Sequence, residues 1–98
     1  MNIWTPKSQE KKGTYLFNGA FLATKKVADE LPLQEILFLY QDVVIRAHIQ
    51  GGIDYLQLYE NQWGRRLFFI DQLNREMLES GEFEEDHHHC TLMFEEEY

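Results

Sequence analysis

Ninety-eight residues, 44% hydrophobic and 14% aromatic, suffice for one core and are too few for two. The formal net charge of −8 repels nucleic acid, membrane phosphates and other polyanions unless a basic patch stands apart. A single cysteine, Cys90, excludes an intrachain disulfide, no apolar run reaches the roughly 20 residues of a membrane span, and the first residues lack a basic-then-apolar leader, so a cytoplasmic setting is expected.

Residues 1–12 are polar and lysine-rich, contain Pro6 and show no period, which reads as a mobile arm with Trp4 docking locally. Thr14–Phe17, Asn18-Gly19 and Ala20–Thr24 form the pattern of a hairpin, because Asn-Gly between apolar runs accepts the positive φ of a type I′ turn. Lys25 to Leu31 reads as a connection or at most one helical turn. A helix is expected from Pro32, whose missing N–H costs nothing at a first helical position, to Gln50, stopped by Gly51-Gly52. Its core stripe is Leu33, Ile36, Leu37, Tyr40, Val43, Val44 and Ala47. A second apolar set, Phe38, Ile45 and Ile49, points the other way, and it demands either cover from this chain or a second chain.

Ile53–Glu60 and Arg65–Ile70 read as a hairpin around Asn61-Gln62-Trp63-Gly64, with apolar residues on both faces. Asp71 is placed to cap a short helix over Gln72–Ser80, with Gly81 as the stop, and the last strand is expected at about His88–Glu95. The resulting order is β-β-α-β-β-α-β. It describes an α+β domain over residues 13–98, an antiparallel sheet with one main helix across a face.

Charge is segregated along the chain. Lys7, Lys11, Lys12, Lys25 and Lys26 lie early, whereas Glu82, Glu84, Glu85, Asp86, Glu95, Glu96 and Glu97 crowd the end. The plain reading is two solvated regions, and the sharper one is an acidic surface that meets a basic partner. The run Asp86-His87-His88-His89-Cys90 holds metal-ligating residue types, but strand alternation sends His87 and His89 one way and His88 and Cys90 the other. Neither C-x-x-C nor H-E-x-x-H is present, so the expectation is a polar lead-in to a strand with a buried Cys, and no cofactor. A metal-binding protein built on His87–Cys90 is the rival reading. Ser8, Ser80 and Cys90 offer no positioned nucleophile, and Gly51-Gly52 follows a helix instead of opening one. Trp63, Arg65 and Arg66 make a lone stacking triplet, which in so acidic a chain reads as a turn Trp with two solvated arginines.

The segments Phe21-Leu22-Ala23-Thr24-Lys25-Lys26-Val27, Leu31-Pro32-Leu33-Gln34 and Gly52-Ile53-Asp54-Tyr55-Leu56-Gln57-Leu58-Tyr59 resemble the domain of unknown function nine-sixty family, small proteins of Gram-positive bacteria, their phages and mobile elements. The likeness covers about residues 20–60; the acidic loop and histidine run beyond Asp71 depart from it. Phe69–Gly81 and Cys90–Phe94 are similar to small accessory proteins of mobile elements in gut clostridia. These resemblances imply a mobile-element origin and transfer no site residues. The expected function is a non-catalytic acidic binding module, in its concrete form an anti-CRISPR-like inhibitor of a nucleic-acid-handling host system. It would use the clustered carboxylates, with Phe38, Ile45 and Ile49, against a host protein with a basic groove; self-association through the helix back is the alternative.

Overall fold

A computed structural model describes residues 2–8, 12–71 and 88–98. Its longest element is a helix whose buried positions, Glu35, Ile36, Leu39, Val43 and Ala47, recur at three and four residues and so make one stripe. This is α2, Leu33–Gln50, with Pro32 just outside it and Gly51 at φ 71° closing it in the left-handed conformation. Leu33 and Leu37, expected in the stripe, are exposed instead, and Leu39 and Glu35 take the inward positions.

The remaining elements, in order, are β1 (Thr5–Pro6), β2 (Ala20–Ala23), α1 (Lys25–Glu30), then after α2 β3 (Leu56–Glu60), β4 (Arg66–Asp71), β5 (His89–Phe94) and a 3-10 turn at Glu95–Glu97. The sheet has five strands in the order β1-β3-β4-β5-β2. It is mixed: β1 with β3, β3 with β4 and β4 with β5 are antiparallel, whereas β2 runs parallel to β5. The expectation of a wholly antiparallel sheet, and of the order β-β-α-β-β-α-β, is thereby corrected; the short helix expected over 72–80 lies outside the described residues.

The correction has a local cause. Asn18-Gly19 does not turn a hairpin. Phe17 takes the positive φ itself, at 53°, while its side chain is fully buried. Its ring meets Phe69 edge-on at 5.5 Å, and its N–H donates to the Asp71 carboxylate at 2.9 Å. Burying a large aromatic ring is worth roughly 1.5–3 kcal/mol, more than a turn preference. With Phe17 drawn inward, the preceding segment bridges Ile53 through Tyr15, exchanging both backbone hydrogen bonds at 2.9 Å. Gly13 permits this approach, since a Cβ there would stand 2.0 Å from the Ile53 carbonyl oxygen. Free of any hairpin, β2 pairs with β5.

The segment 1–12, expected as an arm, contributes the edge strand β1, and Trp4 is buried with its indole N–H donating to Glu35 Oε1 at 2.9 Å. Pro6 suits this edge, where a missing N–H breaks no ladder. Lys25–Glu30 is a helix of six residues, opened by Thr24, whose Oγ1 accepts from the Val27 N–H at 3.3 Å and donates to Glu97 Oε2 at 2.8 Å. Thr24→Ala removes both bonds, and a stability loss of about 1 kcal/mol in urea denaturation is expected. Thr24→Ser, which keeps the hydroxyl, should recover most of it; equal losses would assign the effect to the methyl group.

Candidate functional site

Five groups of residues could bear function. The first is the outer face of α2. Phe38, Ile45 and Ile49 lie opposite the buried stripe and are 54%, 56% and 75% exposed. Residues 2–8, which could have covered them, run instead along the β3 edge of the sheet. A cleft of about 300 Å3 continues this surface, lined by Asn2, Ile3, Trp4, Gln34, Glu35 and Phe38. Glu35 is a buried carboxylate in this mostly apolar wall; one oxygen holds the Trp4 indole, and the other has no hydrogen-bond partner among the described residues.

The second is the acidic C-terminal end. Glu82, Glu84, Glu85 and Asp86 lie outside the described residues. Glu95, Glu96 and Glu97 are exposed and engaged with cations and donors of the same chain. Glu96 pairs with Lys26 at 2.9 Å and with Arg65 at 3.2 Å; Glu95 reaches Arg66 at 3.5 Å, and Glu97 accepts from Thr24 and from the Phe94 N–H. The Lys26 hydrogen bond, the local backbone and Arg65 hold the Glu96 carboxyl at about 2, well below the ordinary range. Arg65 also pairs with Glu30 at 2.8 Å and lies over the Phe94 ring, 3.8 Å from its centroid.

Third, the turn triplet offers little to nucleic acid. Trp63 is 73% exposed, but Arg65 is committed as above and Arg66 pairs with Glu60 at 2.9 Å. The backbone of this turn is fixed by Asn61, whose Oδ1 accepts from the backbone N–H groups of Trp63 and Arg65.

Fourth, a polar network fastens α2 to β3. The Arg46 guanidinium donates to Asp42 Oδ2 at 3.1 Å, to Gln57 Oε1 at 2.8 Å and to the Tyr59 hydroxyl at 2.8 Å, while that hydroxyl donates to Asp42 at 2.7 Å. Burial and the hydrogen bond to Asp42 raise the Tyr59 phenol far above its usual range, so it stays protonated and serves as a structural donor.

The fifth group joins residues that are distant in sequence. Asp71 and Cys90 are direct cross-strand partners on β4 and β5, and His88 sits one step before β5 on the same side as Cys90. All three are buried, and one ligand atom from each lies within 4.8 Å of the others. Burial first, then the Asp71 carboxylate, push the Cys90 thiol up to about 12, which removes it as a free nucleophile at neutral pH. His87 lies outside the described residues, and His89 is half-buried on the other side of the strand. The pairing of His88 with Cys90 was legible from strand alternation. Asp71 was not, because its position after an apolar run looks like a helix cap.

Comparison of the chain with protein-family models, with curated proteins and with solved structures finds no match.

Proposed function

We propose that this protein is a non-catalytic protein-binding module that docks a basic partner protein on the outer face of α2. The observation that carries the reading is the row Phe38, Ile45 and Ile49, exposed on the side opposite the core. Apolar side chains presented in this way gain most from an apolar groove or helix laid along them. Charge complementarity selects the occupant. A chain of net charge −8 disfavours a second copy of itself and attracts a cationic protein. The cleft beside Phe38 suits such a partner. Its apolar walls match the stem of a lysine or arginine, and the Glu35 carboxylate matches the head.

In its finer form, the partner is a host protein that handles nucleic acid and the module is an inhibitor carried by a phage or mobile element. Glu95 and Glu96 lend little to phosphate mimicry, because Lys26, Arg65 and Arg66 already occupy them. The apolar face therefore takes the main role and the overall negative charge the steering role.

Ile45→Glu places a charge in the middle of the row at a site 56% exposed, so folding stability should change by no more than about 0.5 kcal/mol. A basic protein captured from host lysate on the immobilised wild type should bind Ile45→Glu at least about tenfold more weakly in titration calorimetry, and wild-type affinity should fall as salt rises. Equal affinity of Ile45→Glu and wild type would reject the face. Light scattering showing a wild-type dimer that Ile45→Glu dissociates would replace the basic partner with a second copy.

A further inference from the structure

From the buried juncture of β4, β5 and the residue before β5, we propose that Asp71, His88 and Cys90 form a binding site for a zinc-class divalent cation. Thiolate, imidazole and carboxylate are the three donor types that such an ion accepts together in tetrahedral geometry. The Cys90 thiol and the Asp71 carboxylate lie within hydrogen-bonding reach of each other, and the spacing at His88 suits ligation. His88 Nε2 lies 3.3 Å from Asp71 Oδ1 but makes no aligned hydrogen bond to it, which leaves a fully buried ring nitrogen without a hydrogen-bond partner among the described residues. A nitrogen and an oxygen that share one tetrahedral zinc ion stand roughly 3.4 Å apart, given metal–ligand bonds near 2.0–2.1 Å. The pair is thus set at the edge length of a coordination tetrahedron, with the Cys90 sulfur within 4.8 Å of both.

The surroundings orient all three donors. The second Asp71 oxygen accepts the Phe17 N–H at 2.9 Å, which turns the carboxylate and leaves Oδ1 toward His88. The Gly19 backbone amide hydrogen-bonds to the Cys90 sulfur, a contact that favours the thiolate a metal requires. Gly19 also backs the imidazole: a Cβ at this position would stand 2.6 Å from His88 Cδ2 and from the His88 carbonyl oxygen. One dipositive ion with one thiolate, one carboxylate and a neutral imidazole sums to zero charge, the balance a buried site needs. On binding, the Cys90 S–H bond breaks, its proton passes to solvent, and the sulfur–metal bond forms. Among the described residues these three are the donors, and the site ties the sheet to the Phe17–Gly19 segment.

The test uses the full chain, prepared without an affinity tag and stripped with a chelator, and titrates it with Co2+ and then Zn2+. The expected result is a thiolate-to-cobalt charge-transfer band with tetrahedral d–d absorption that saturates at one equivalent, is displaced by Zn2+, and accompanies a rise in Tm that chelator reverses. Cys90→Ser should abolish the band. Gly19→Ala, acting through the imidazole, should weaken Zn2+ binding by about 10–100-fold. His89→Ala, on the opposite side of the strand, should leave both readouts unchanged. A folded wild-type protein that gives no charge-transfer band overturns the proposal without recourse to any variant. Tetrahedral d–d absorption at one equivalent without a charge-transfer band, lost in His89→Ala and kept in Cys90→Ser, would overturn it too, by moving the ion to the other side of the strand.

Discussion

Phe69→Ala should cost about 3–5 kcal/mol of folding stability, the range for emptying a fully buried aromatic position. Phe69 lies in β4, the middle strand of the sheet, between Gln57 on β3 and Leu92 on β5. Its ring is fully buried and meets Phe17 at 5.5 Å and Phe21 at 5.4 Å, and Phe21 in turn meets Tyr40 of α2 at 4.7 Å. One side chain therefore links β4, the Phe17 kink, β2 and α2. Removing it leaves a cavity that these elements can close only by moving together, and it withdraws the packing that holds Phe17 at positive φ. Against a total of roughly 5–15 kcal/mol for a domain, the variant should be marginal at room temperature. Urea denaturation followed by near-ultraviolet circular dichroism measures the loss. Phe69→Leu, which fills most of the volume, should lose well under half as much. A Phe69→Ala loss below about 1 kcal/mol would mean that the aromatic chain is not the centre of the core.

The second large effect is expected at Asp71. Asp71→Ala should cost about 3 kcal/mol when measured with chelator present, so that no bound cation enters the comparison. The side chain is fully buried, and its loss leaves the Phe17 N–H without its acceptor in the interior. The Phe17 backbone is in a conformation that a residue with a large side chain adopts only under constraint, and the constraint comes from Asp71 on one side and Phe69 on the other. Asp71→Asn keeps an oxygen that can accept the same N–H and should lose only about 1 kcal/mol. If Asp71→Ala and Asp71→Asn proved equally destabilising, the carboxylate's charge, and not its hydrogen bond to Phe17, would be the controlling property. Adding Zn2+ should stabilise the wild type and leave Asp71→Ala nearly unmoved, which separates the structural role of Asp71 from its role toward a cation.

These two residues also mark where sequence reasoning succeeds and where it stops. Helical period, proline and glycine located α2 to within a residue at each end, because those signals are local and the helix needs no long-range decision. The turn at Asn61–Gly64 followed for the same reason, with Gly64 at φ 81° and the Asn61 side chain capping the turn, whereas the strand before it is Leu56–Glu60 and not the expected Ile53–Glu60. Asn18-Gly19 carried an equally strong local signal and lost, since Phe17 gains more by entering the core than the turn gains by forming. From that single outcome the sheet becomes mixed. The inward stripe of α2 was partly misassigned because Leu33 and Leu37 look like core residues, whereas a buried Glu35 makes sense only once Trp4 is seen beside it. The Asp71–His88–Cys90 cluster depended on the pairing register of β4 with β5, a contact between distant segments that no spacing along the chain encodes. The expectation for Phe38, Ile45 and Ile49 had left two outcomes open, cover by this chain or exposure, and the course of residues 2–8 along the β3 edge decides for exposure among the described residues.

The strand order has a kinetic meaning. Among the described residues, β2 is made early and pairs with β5, made last of the five strands, while β1, made earlier still, closes the opposite edge on β3. Segments synthesised first thus bracket a sheet whose centre is synthesised later. During synthesis, Ala20–Ala23 has no ladder to join until His89–Phe94 has left the ribosome, so the sheet is completed after translation of β5 and not strand by strand. Pairings of such sequence separation pay loop-closure entropy before they gain contacts, so refolding slower than that of an all-helical domain of this length is expected.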